Sequence, residues 1–181
     1  KELFENFSSA RQTFEEADDA LHASISGFCF KGPEEALKLT ENTQPAVLTT
    51  SIAALKVLRE EKGLTPQFTA GHSLGEYSAL VASGALAFSE AVKIVRLRGR
   101  FMQEAVPVGE GAMAAILGME RQQVEKLCKE VCSNETLTPA NFNCPGQIVI
   151  AGHFKAVERA IERVKQEGKK AVLLPVSAPF H

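Results

Sequence analysis

The apolar positions in the first hundred residues recur at the three- and four-residue spacing that is typical of helices. Residues 1–21 place six of them on or near one face: Leu3, Phe7, Ala10, Phe14, Ala17 and Leu21. Residues 74–84 predict a helix of small side chains, and residues 89–106 predict another that Ser89 would cap. The first part of the chain is therefore expected to be rich in helices.

The strongest helical pattern covers residues 42–63. Asn42 or Thr43 is a suitable N-cap, Pro45 suits the first turn, and Gly63 is a suitable end. The Val, Ile, Ala and Leu content of this segment predicts burial on more than one side.

The pattern changes after residue 110, where short apolar runs alternate with two amphipathic helices at 121–131 and 154–168. Four strands are predicted, over residues 112–118, 137–143, 147–152 and 170–176, with a turn at Pro145–Gly146 between the middle two. The order β-α-β-β-α-β is the split βαβ arrangement of a ferredoxin-like lobe. The sequence therefore predicts an α/β protein with a large lobe over 1–110, this small lobe over 111–177, and a return to the large lobe over 178–181.

The composition excludes several classes of protein. The chain has 181 residues, 45% hydrophobic and 23% charged, with a net charge of -2, so general affinity for nucleic acid or an anionic membrane is not expected. No apolar run approaches the ~20 residues that span a bilayer. The four cysteines form no CxxC pair, and we interpret them as reduced thiols of a cytoplasmic protein rather than as disulfides or metal ligands.

A short buried strand is predicted over residues 66–71, directly before the sequence GHSLG at residues 71–75. A strand that turns sharply into a helix holds its turn residue in a strained conformation, and small residues two positions away let the backbone pass. The hydroxyl of Ser73 would then be exposed at the top of a sheet. The N–H groups that open the next helix, with that of Leu74 first, would favour a developing oxyanion. The pattern thus favours a nucleophile elbow over a serine that only caps a helix.

A serine nucleophile needs a base. His72 is adjacent to Ser73, but neighbouring side chains on a strand point to opposite faces, so we interpret His72 as structural. His22 and His153 carry no supporting pattern. His181, in the sequence VSAPFH, is the candidate that remains, and the residues alone leave its role open.

Five segments together resemble one known family. They are GHSLGEYSALVASG, RLRGRFMQEAVP, GAMAAILG, NFNCPGQIVIAG and PVSAPFH, which begin at residues 71, 96, 111, 141 and 175. The sequence closely resembles the malonyl-CoA:acyl carrier protein transacylases of bacterial fatty-acid synthesis. The resemblance extends over essentially the whole chain, with the segments in the family's order.

The resemblance implies a role for each candidate residue. Ser73 matches the acyl-accepting nucleophile, and His181 matches the general base. Arg98 matches the arginine that binds the free carboxylate of the malonyl group, which a guanidinium can hold with two parallel hydrogen bonds. Leu74 would supply an oxyanion-hole N–H, and Phe180 would leave little room for an α-methyl branch on the acyl group.

The resemblance also implies a mechanism and partners. Malonyl would pass from malonyl-CoA to Ser73 and then to the phosphopantetheine thiol of acyl carrier protein, in ping-pong order. Malonyl-CoA and the carrier protein with its phosphopantetheine are substrates, so no cofactor or metal is implied. We expect a cytoplasmic monomer that binds neither nucleic acid nor a membrane.

Some elements of the family are expected outside these 181 residues. The family begins with a strand and a loop whose glutamine donates the second oxyanion hydrogen bond, and it continues with strands and helices after the histidine. The hydrolase-like large lobe, into which the ferredoxin-like lobe is inserted, would therefore be incomplete here. The chain is expected to be a fragment of a longer protein.

Three alternatives remain open at the sequence level. The chain could belong to an acyltransferase domain of a polyketide synthase, to a serine esterase, or to a binding protein whose small lobe docks a partner. Arg98 weighs against an esterase, because a neutral ester gains nothing from a buried cation. Arg96 and Arg100 lie on the same predicted helix and are the alternatives to Arg98.

Overall fold

The structure, a computed structural model, describes residues 1–107, 109–176 and 179–181. It divides into two compact units, Lys1–Phe101 and Met102–His181. Within the described residues, the first unit contains helices and the second contains the sheet of an α/β chain. The division into a large lobe over residues 1–110 and a small lobe over 111–177 stays a prediction.

The first unit is built from helices, the last of which continues into the second unit. They are α1 (Glu2–Asn6), α2 (Ser8–Leu21), α3 (Ile25–Lys31), α4 (Glu34–Lys38), α5 (Thr40–Lys62), α6 (Leu74–Ser83) and α7 (Phe88–Glu104). Helix α5 packs on two sides, as its apolar content predicts. One cluster comprises Ala17, Leu48, Ile52, Phe88, Ala91, Val92 and Val95, and the other Ala10, Phe14, Ala53 and Val57.

The single helix predicted over residues 1–21 is wrong, because the chain breaks at Phe7. This residue has an extended backbone, with φ -125° and ψ 126°, and it separates α1 from α2. The break lets Phe4 fold back onto Phe14 and Phe30, with ring centroids 5.7 Å and 4.9 Å away. A few turns of amphipathic pattern cannot show such a break when both halves carry the same spacing.

The predicted start of α5 is also wrong. The helix begins at Thr40, so Pro45 lies beyond the first turn, inside the helix. The two predicted caps bind elsewhere: Asn42 donates to the Ala36 carbonyl at 2.9 Å, and Thr43 donates to the Leu39 carbonyl at 3.0 Å. The predicted end is confirmed at Gly63, which has φ 59°.

Two shorter helices, α3 and α4, were not predicted. Seven and five residues are too few for a clear helical period, although Ser24 does cap α3 by accepting from the Gly27 N–H at 3.1 Å. Ser89 is not a cap, because α7 begins one residue earlier, at Phe88.

The second unit has the predicted order of elements. They are β1 (Gly111–Leu117), α8 (Arg121–Val131), β2 (Leu137–Cys144), β3 (Gln147–His153), α9 (Phe154–Gln166) and β4 (Lys170–Leu173). The strands form one sheet in the order β2-β3-β1-β4, and every neighbouring pair is antiparallel. Strand β4 ends three residues before the predicted position.

The sheet of the second unit has two different faces, because successive side chains on a strand alternate. One face packs with α8 and α9 around a core that includes Ala114, Ile116, Ile148 and Ile150. The other face carries a smaller cluster made of Met113, Ala115, Val149 and Ala151.

Candidate active site

Ser73 occupies a strained turn at the start of α6. Its φ of 55° and ψ of -111° are rare for a residue with a side chain, and such strain is typical of functional sites. Gly71 makes the turn possible, because a Cβ there would lie 1.9 Å from the Gly75 carbonyl carbon. Among the described residues, a Cβ at Gly75 would meet nothing within 4 Å, so it is Gly71 whose side chain must be absent for the turn to form.

The strand predicted before this turn is wrong. Residues 66–71 have no strand conformation, and Phe68 is 91% exposed where the prediction had it buried. A strand needs a neighbour for its ladder hydrogen bonds, and the described residues place none beside this segment. A side-chain contact holds the segment instead, since Thr69 donates to the Ala79 carbonyl of α6 at 3.1 Å.

Arg98 reaches Ser73 from helix α7. Its Nη2 donates to the Ser73 Oγ at 3.0 Å, and its Nη1 donates to the Gln44 Oε1 at 2.5 Å. The guanidinium carbon also lies 5.8 Å from the ring centroid of Tyr77, which is one helical turn beyond Ser73 on α6. The structure thus brings the predicted nucleophile and the predicted carboxylate-binding arginine together within one unit.

The two alternative arginines are engaged elsewhere. Arg96 donates to the Leu21 carbonyl at 3.3 Å. Arg100 is exposed, with its Nε 3.8 Å from the Glu41 carboxylate. Of the three, Arg98 is the one hydrogen-bonded to Ser73.

Gln44 is a site residue that the sequence analysis missed. It is 6% exposed on α5, accepts from Arg98, and donates from its Nε2 to the Thr40 Oγ1 at 2.9 Å. The sequence did contain a signal for Gln44. A glutamine among the apolar residues of a helix predicted to be buried must find a hydrogen-bond partner, because buried polar groups need partners.

Leu74 is the first residue of α6, directly after Ser73. The first N–H groups of a helix have no partner within the helix, and the helix dipole makes this end partly positive. The structure places Leu74 at this end of α6, and its role as an oxyanion-hole donor stays a prediction.

Phe180 and His181 belong to the second unit. Phe180 packs against the smaller sheet cluster defined above. His181 and Pro179 line a cavity of about 410 Å³. Gly111 lets the segment approach the sheet, because a Cβ there would lie 2.4 Å from the Pro179 Cγ. The pairing of His181 with Ser73 stays a prediction.

Two other classes of site were searched for in the described parts of the chain. No group of three His, Cys, Asp or Glu side chains there could hold a metal ion. None of the helices in those ranges has the length and apolar character that crossing a membrane requires.

Comparison with known proteins decides the family. A family model described as the acyl transferase domain matches residues 1–181. The chain belongs to this family. A curated acyl transferase relative, the malonyl CoA-acyl carrier protein transacylase of Bacillus subtilis, is 56% identical over 183 residues, which cover 100% of this chain and 57% of that protein.

Solved structures give the same relationship. An acyl-carrier-protein S-malonyltransferase from Burkholderia pseudomallei is 46% identical, with a TM-score of 0.92 over 99% of this chain and 59% of that one. A malonyl transacylase in complex with a type II polyketide synthase acyl carrier protein is 48% identical, with a TM-score of 0.92 over 98% and 58%. The chain has an acyltransferase fold, and it spans 57% of the length of the Bacillus subtilis relative.

Proposed function

We propose that the intact protein carrying this chain transfers a malonyl group from malonyl-CoA to the phosphopantetheine thiol of acyl carrier protein, and so supplies fatty-acid synthesis. The observation that carries the proposal is the hydrogen bond from the Arg98 Nη2 to the Ser73 Oγ at 3.0 Å. In a malonyl ester of Ser73, two carbon atoms separate the Oγ from the free carboxylate, so the carboxylate would lie within reach of this guanidinium. The names of the relatives support the same substrate pair.

The first half-reaction forms the malonyl-serine ester. His181 takes the proton from Ser73 as its Oγ attacks the thioester carbonyl. The Leu74 N–H donates to the oxyanion that develops. When the intermediate collapses, the carbon–sulfur bond breaks and His181 returns the proton to coenzyme A, which leaves as a thiol.

The second half-reaction is the reverse with a different thiol. The phosphopantetheine thiol of acyl carrier protein gives its proton to His181 and attacks the ester carbonyl. The ester bond breaks, and the Ser73 oxygen recovers a proton from His181. The chemistry is acyl transfer between thiols and needs no metal or redox cofactor.

In this proposal all the site residues belong to the large lobe. Residues 1–110 belong to a hydrolase-like large lobe that carries Ser73 and Arg98, and residues 111–177 form an inserted ferredoxin-like lobe. Residues 178–181 return to the large lobe with His181. The order of strands and helices in the second unit supports the small-lobe assignment.

Phe180 would exclude acyl groups with an α-methyl branch. The aromatic side chain packs on the smaller sheet cluster, which supports a fixed position for its ring. Discrimination of one methyl group in a pocket is worth only ~1–3 kcal/mol. Selectivity for malonyl over methylmalonyl should therefore be clear but incomplete.

The proposal places the protein in the cytoplasm as a monomer whose partners are acyl carrier protein and coenzyme A thioesters, without nucleic acid or membrane binding. A role with a polyketide carrier protein is the second candidate. It is favoured by one observation, the related transacylase solved with such a carrier. Acceptance of each purified carrier protein separates the two roles.

Covalent labelling of the intact protein tests the proposal. Incubation with malonyl-CoA should add one malonyl group to Ser73, seen as a mass shift on the protein and located by peptide mapping. Holo acyl carrier protein should then remove the group and become malonylated. The Ser73→Ala variant should take up no label, and equal labelling of that variant would exclude Ser73 as the nucleophile.

A further inference from the structure

Gln44 has an orientation that is fixed by partners on both sides of its amide. The oxygen accepts from the Arg98 Nη1, and the nitrogen donates to the Thr40 hydroxyl. The opposite orientation would turn an NH₂ group toward a guanidinium, which offers donors only. Both Gln44 and Thr40 are almost fully buried, at 6% and 5% exposure, so neither can exchange these partners for bulk water at low cost.

The backbone around this contact is also fixed. A Cβ at Gly99 would lie 2.5 Å from the Thr40 carbonyl oxygen and 2.6 Å from the Glu41 Cα. Helices α5 and α7 therefore touch at the residue next to Arg98, one turn before Gln44. The two ends of the Gln44–Arg98 hydrogen bond are held at a constant separation by this close approach.

The neutral amide has a consequence for charge. A glutamine oxygen accepts a hydrogen bond from Arg98 but leaves the positive charge of the guanidinium uncompensated. A carboxylate at the same place would form a bidentate ion pair and compete directly with a substrate carboxylate. Gln44 can therefore orient Arg98 without reducing its attraction for an anionic acyl group.

We propose that Gln44 is a positioning residue for acyl selectivity. Anchored by Thr40, it holds one end of the Arg98 guanidinium, so that the charge faces the acyl group on Ser73 and stays available for a free carboxylate. This inference rests on the proposed function, because it assigns to Gln44 the preference for malonyl over neutral acyl groups of similar size.

The test is a comparison of Gln44→Glu with the intact wild-type protein, measuring kcat and KM for malonyl-CoA and acetyl-CoA. Gln44→Glu keeps the shape of the side chain and adds the competing charge. We expect kcat/KM for malonyl-CoA to fall by about tenfold or more, mainly through KM, as is usual for loss of a charge-assisted hydrogen bond. The value for acetyl-CoA should stay within about twofold, because a neutral acyl group does not use the charge.

A second variant and a control keep the result interpretable. Gln44→Met retains the volume without the hydrogen bonds, and it should lose malonyl selectivity even if the carboxylate of Gln44→Glu is accommodated differently. Gln12→Glu makes the same change at an exposed position of α2, and it should leave kcat and KM unchanged for both substrates. Thermal unfolding of each variant identifies any variant that does not fold. If Gln44→Glu does not fold, the kinetics of Gln44→Met test the inference.

Two outcomes would overturn the inference. One is an equal loss for malonyl-CoA and acetyl-CoA in both Gln44 variants, which would make Gln44 a structural residue only. The other is unchanged kinetics in both. The Arg98→Ala variant separates these two outcomes from failure of the proposed function. If Arg98→Ala keeps the preference for malonyl-CoA over acetyl-CoA, then Arg98 does not bind the carboxylate and the proposed function loses its support.

Discussion

At the scale of single residues, Arg98 is the group that would distinguish an anionic acyl substrate from a neutral one. A malonyl carboxylate loses water on entering the site, and this costs several kcal/mol unless a cation is in place. Arg98 is half-buried and directed toward the nucleophile by two hydrogen bonds, so it can supply that cation without reorganising.

Arg98→Ala should raise the barrier for malonyl-CoA by roughly 2–5 kcal/mol, the usual cost of leaving a buried charge without its partner. Transfer from acetyl-CoA should hold steady or improve, because no unpaired cation then remains beside a neutral acyl group. Arg98→Lys should recover part of the loss, since an ammonium restores the charge but lacks the two-pronged geometry. The measurement is the ratio of kcat/KM for the two substrates, and a ratio unchanged in Arg98→Ala would direct attention to Arg96 and Arg100.

Cys128 provides a test of burial by pH. Desolvation on the inner face of α8 raises the pKa of the Cys128 thiol from 9.0 to about 11, with the nearby Cys132 adding to the shift. The unfolded chain therefore ionises first as the pH rises. The contribution of the neutral thiol to stability is fully present below pH 9 and is lost between pH 9 and about 11.

The stability advantage of the wild type over Cys128→Ala should therefore shrink by about 2–3 kcal/mol across that pH range, following the energy of a shift of this size. Urea unfolding under reducing conditions at several pH values measures it. Cys144→Ala, at an exposed cysteine, serves as the control and should show no such trend. A constant difference between wild type and Cys128→Ala would mean that Cys128 is hydrated in the folded protein.

At the scale of elements, the predictable parts are those where pattern and partner lie close in sequence. The bounds of α8 follow from its strong amphipathic spacing, and the hairpin of β2 and β3 follows from Pro145–Gly146 between two alternating runs. These elements find their packing partners within about fifty residues in the same unit. Local pattern and tertiary packing therefore agree there.

The failures share a different cause, which is that a specific side-chain contact, which the apolar spacing does not encode, overrides the local pattern. Phe7 is extended because Phe4 packs onto Phe30, and the side chains of Asn42 and Thr43 satisfy carbonyl groups before α5 rather than capping it. The segment at 66–71 has strand-like composition, but the part of the chain that the structure describes provides no neighbouring strand for it. In the same way, the sequence located Ser73 and Arg98 but not the Gln44 contact, which depends on the crossing of two helices.

Gly99 tests that crossing directly. Alanine has the higher intrinsic helix propensity, by about 1 kcal/mol, so propensity alone predicts that Gly99→Ala stabilises α7. The new Cβ would lie 2.5 Å from a backbone oxygen of α5, which cannot move aside like a side chain. Overpacking of this kind costs typically 1–3 kcal/mol, so we expect a net loss of stability.

Gly75→Ala is the matched control for Gly99→Ala, because the new Cβ would meet no atom of the described residues within 4 Å. Thermal unfolding of the 181-residue chain should show Gly99→Ala below the wild type and Gly75→Ala level with it or above. A Gly99→Ala variant that is more stable than the wild type would show that α5 and α7 can separate freely. The proposed fixed distance between Gln44 and Arg98 would then lose its physical basis.

At the scale of the whole molecule, the described structure contains part of the catalytic apparatus that the family implies. Ser73, the Leu74 N–H and Arg98 lie in the first unit, and His181 lies in the second. The chain covers 57% of the length of its Bacillus subtilis relative, so we expect a measurable difference in activity between the two.

The 181 residues expressed by themselves should transfer malonyl at least ~10²-fold more slowly than that relative, because they cover 57% of its length. A loss of this size is typical when a single oxyanion donor is removed. They should also self-associate, because Phe68 is 91% exposed on a segment with the composition of a buried strand. Rates with malonyl-CoA and acyl carrier protein test the first expectation, and light scattering tests the second.

Phe68→Ser should reduce self-association without changing the residual rate. The reason is that Phe68 is in none of the hydrogen bonds or packed clusters described above for Ser73 and Arg98. A monodisperse chain with the relative's full rate would mean that Ser73, His181, Arg98 and one N–H donor suffice for the reaction. It would also mean that the strand-like segment needs no neighbour.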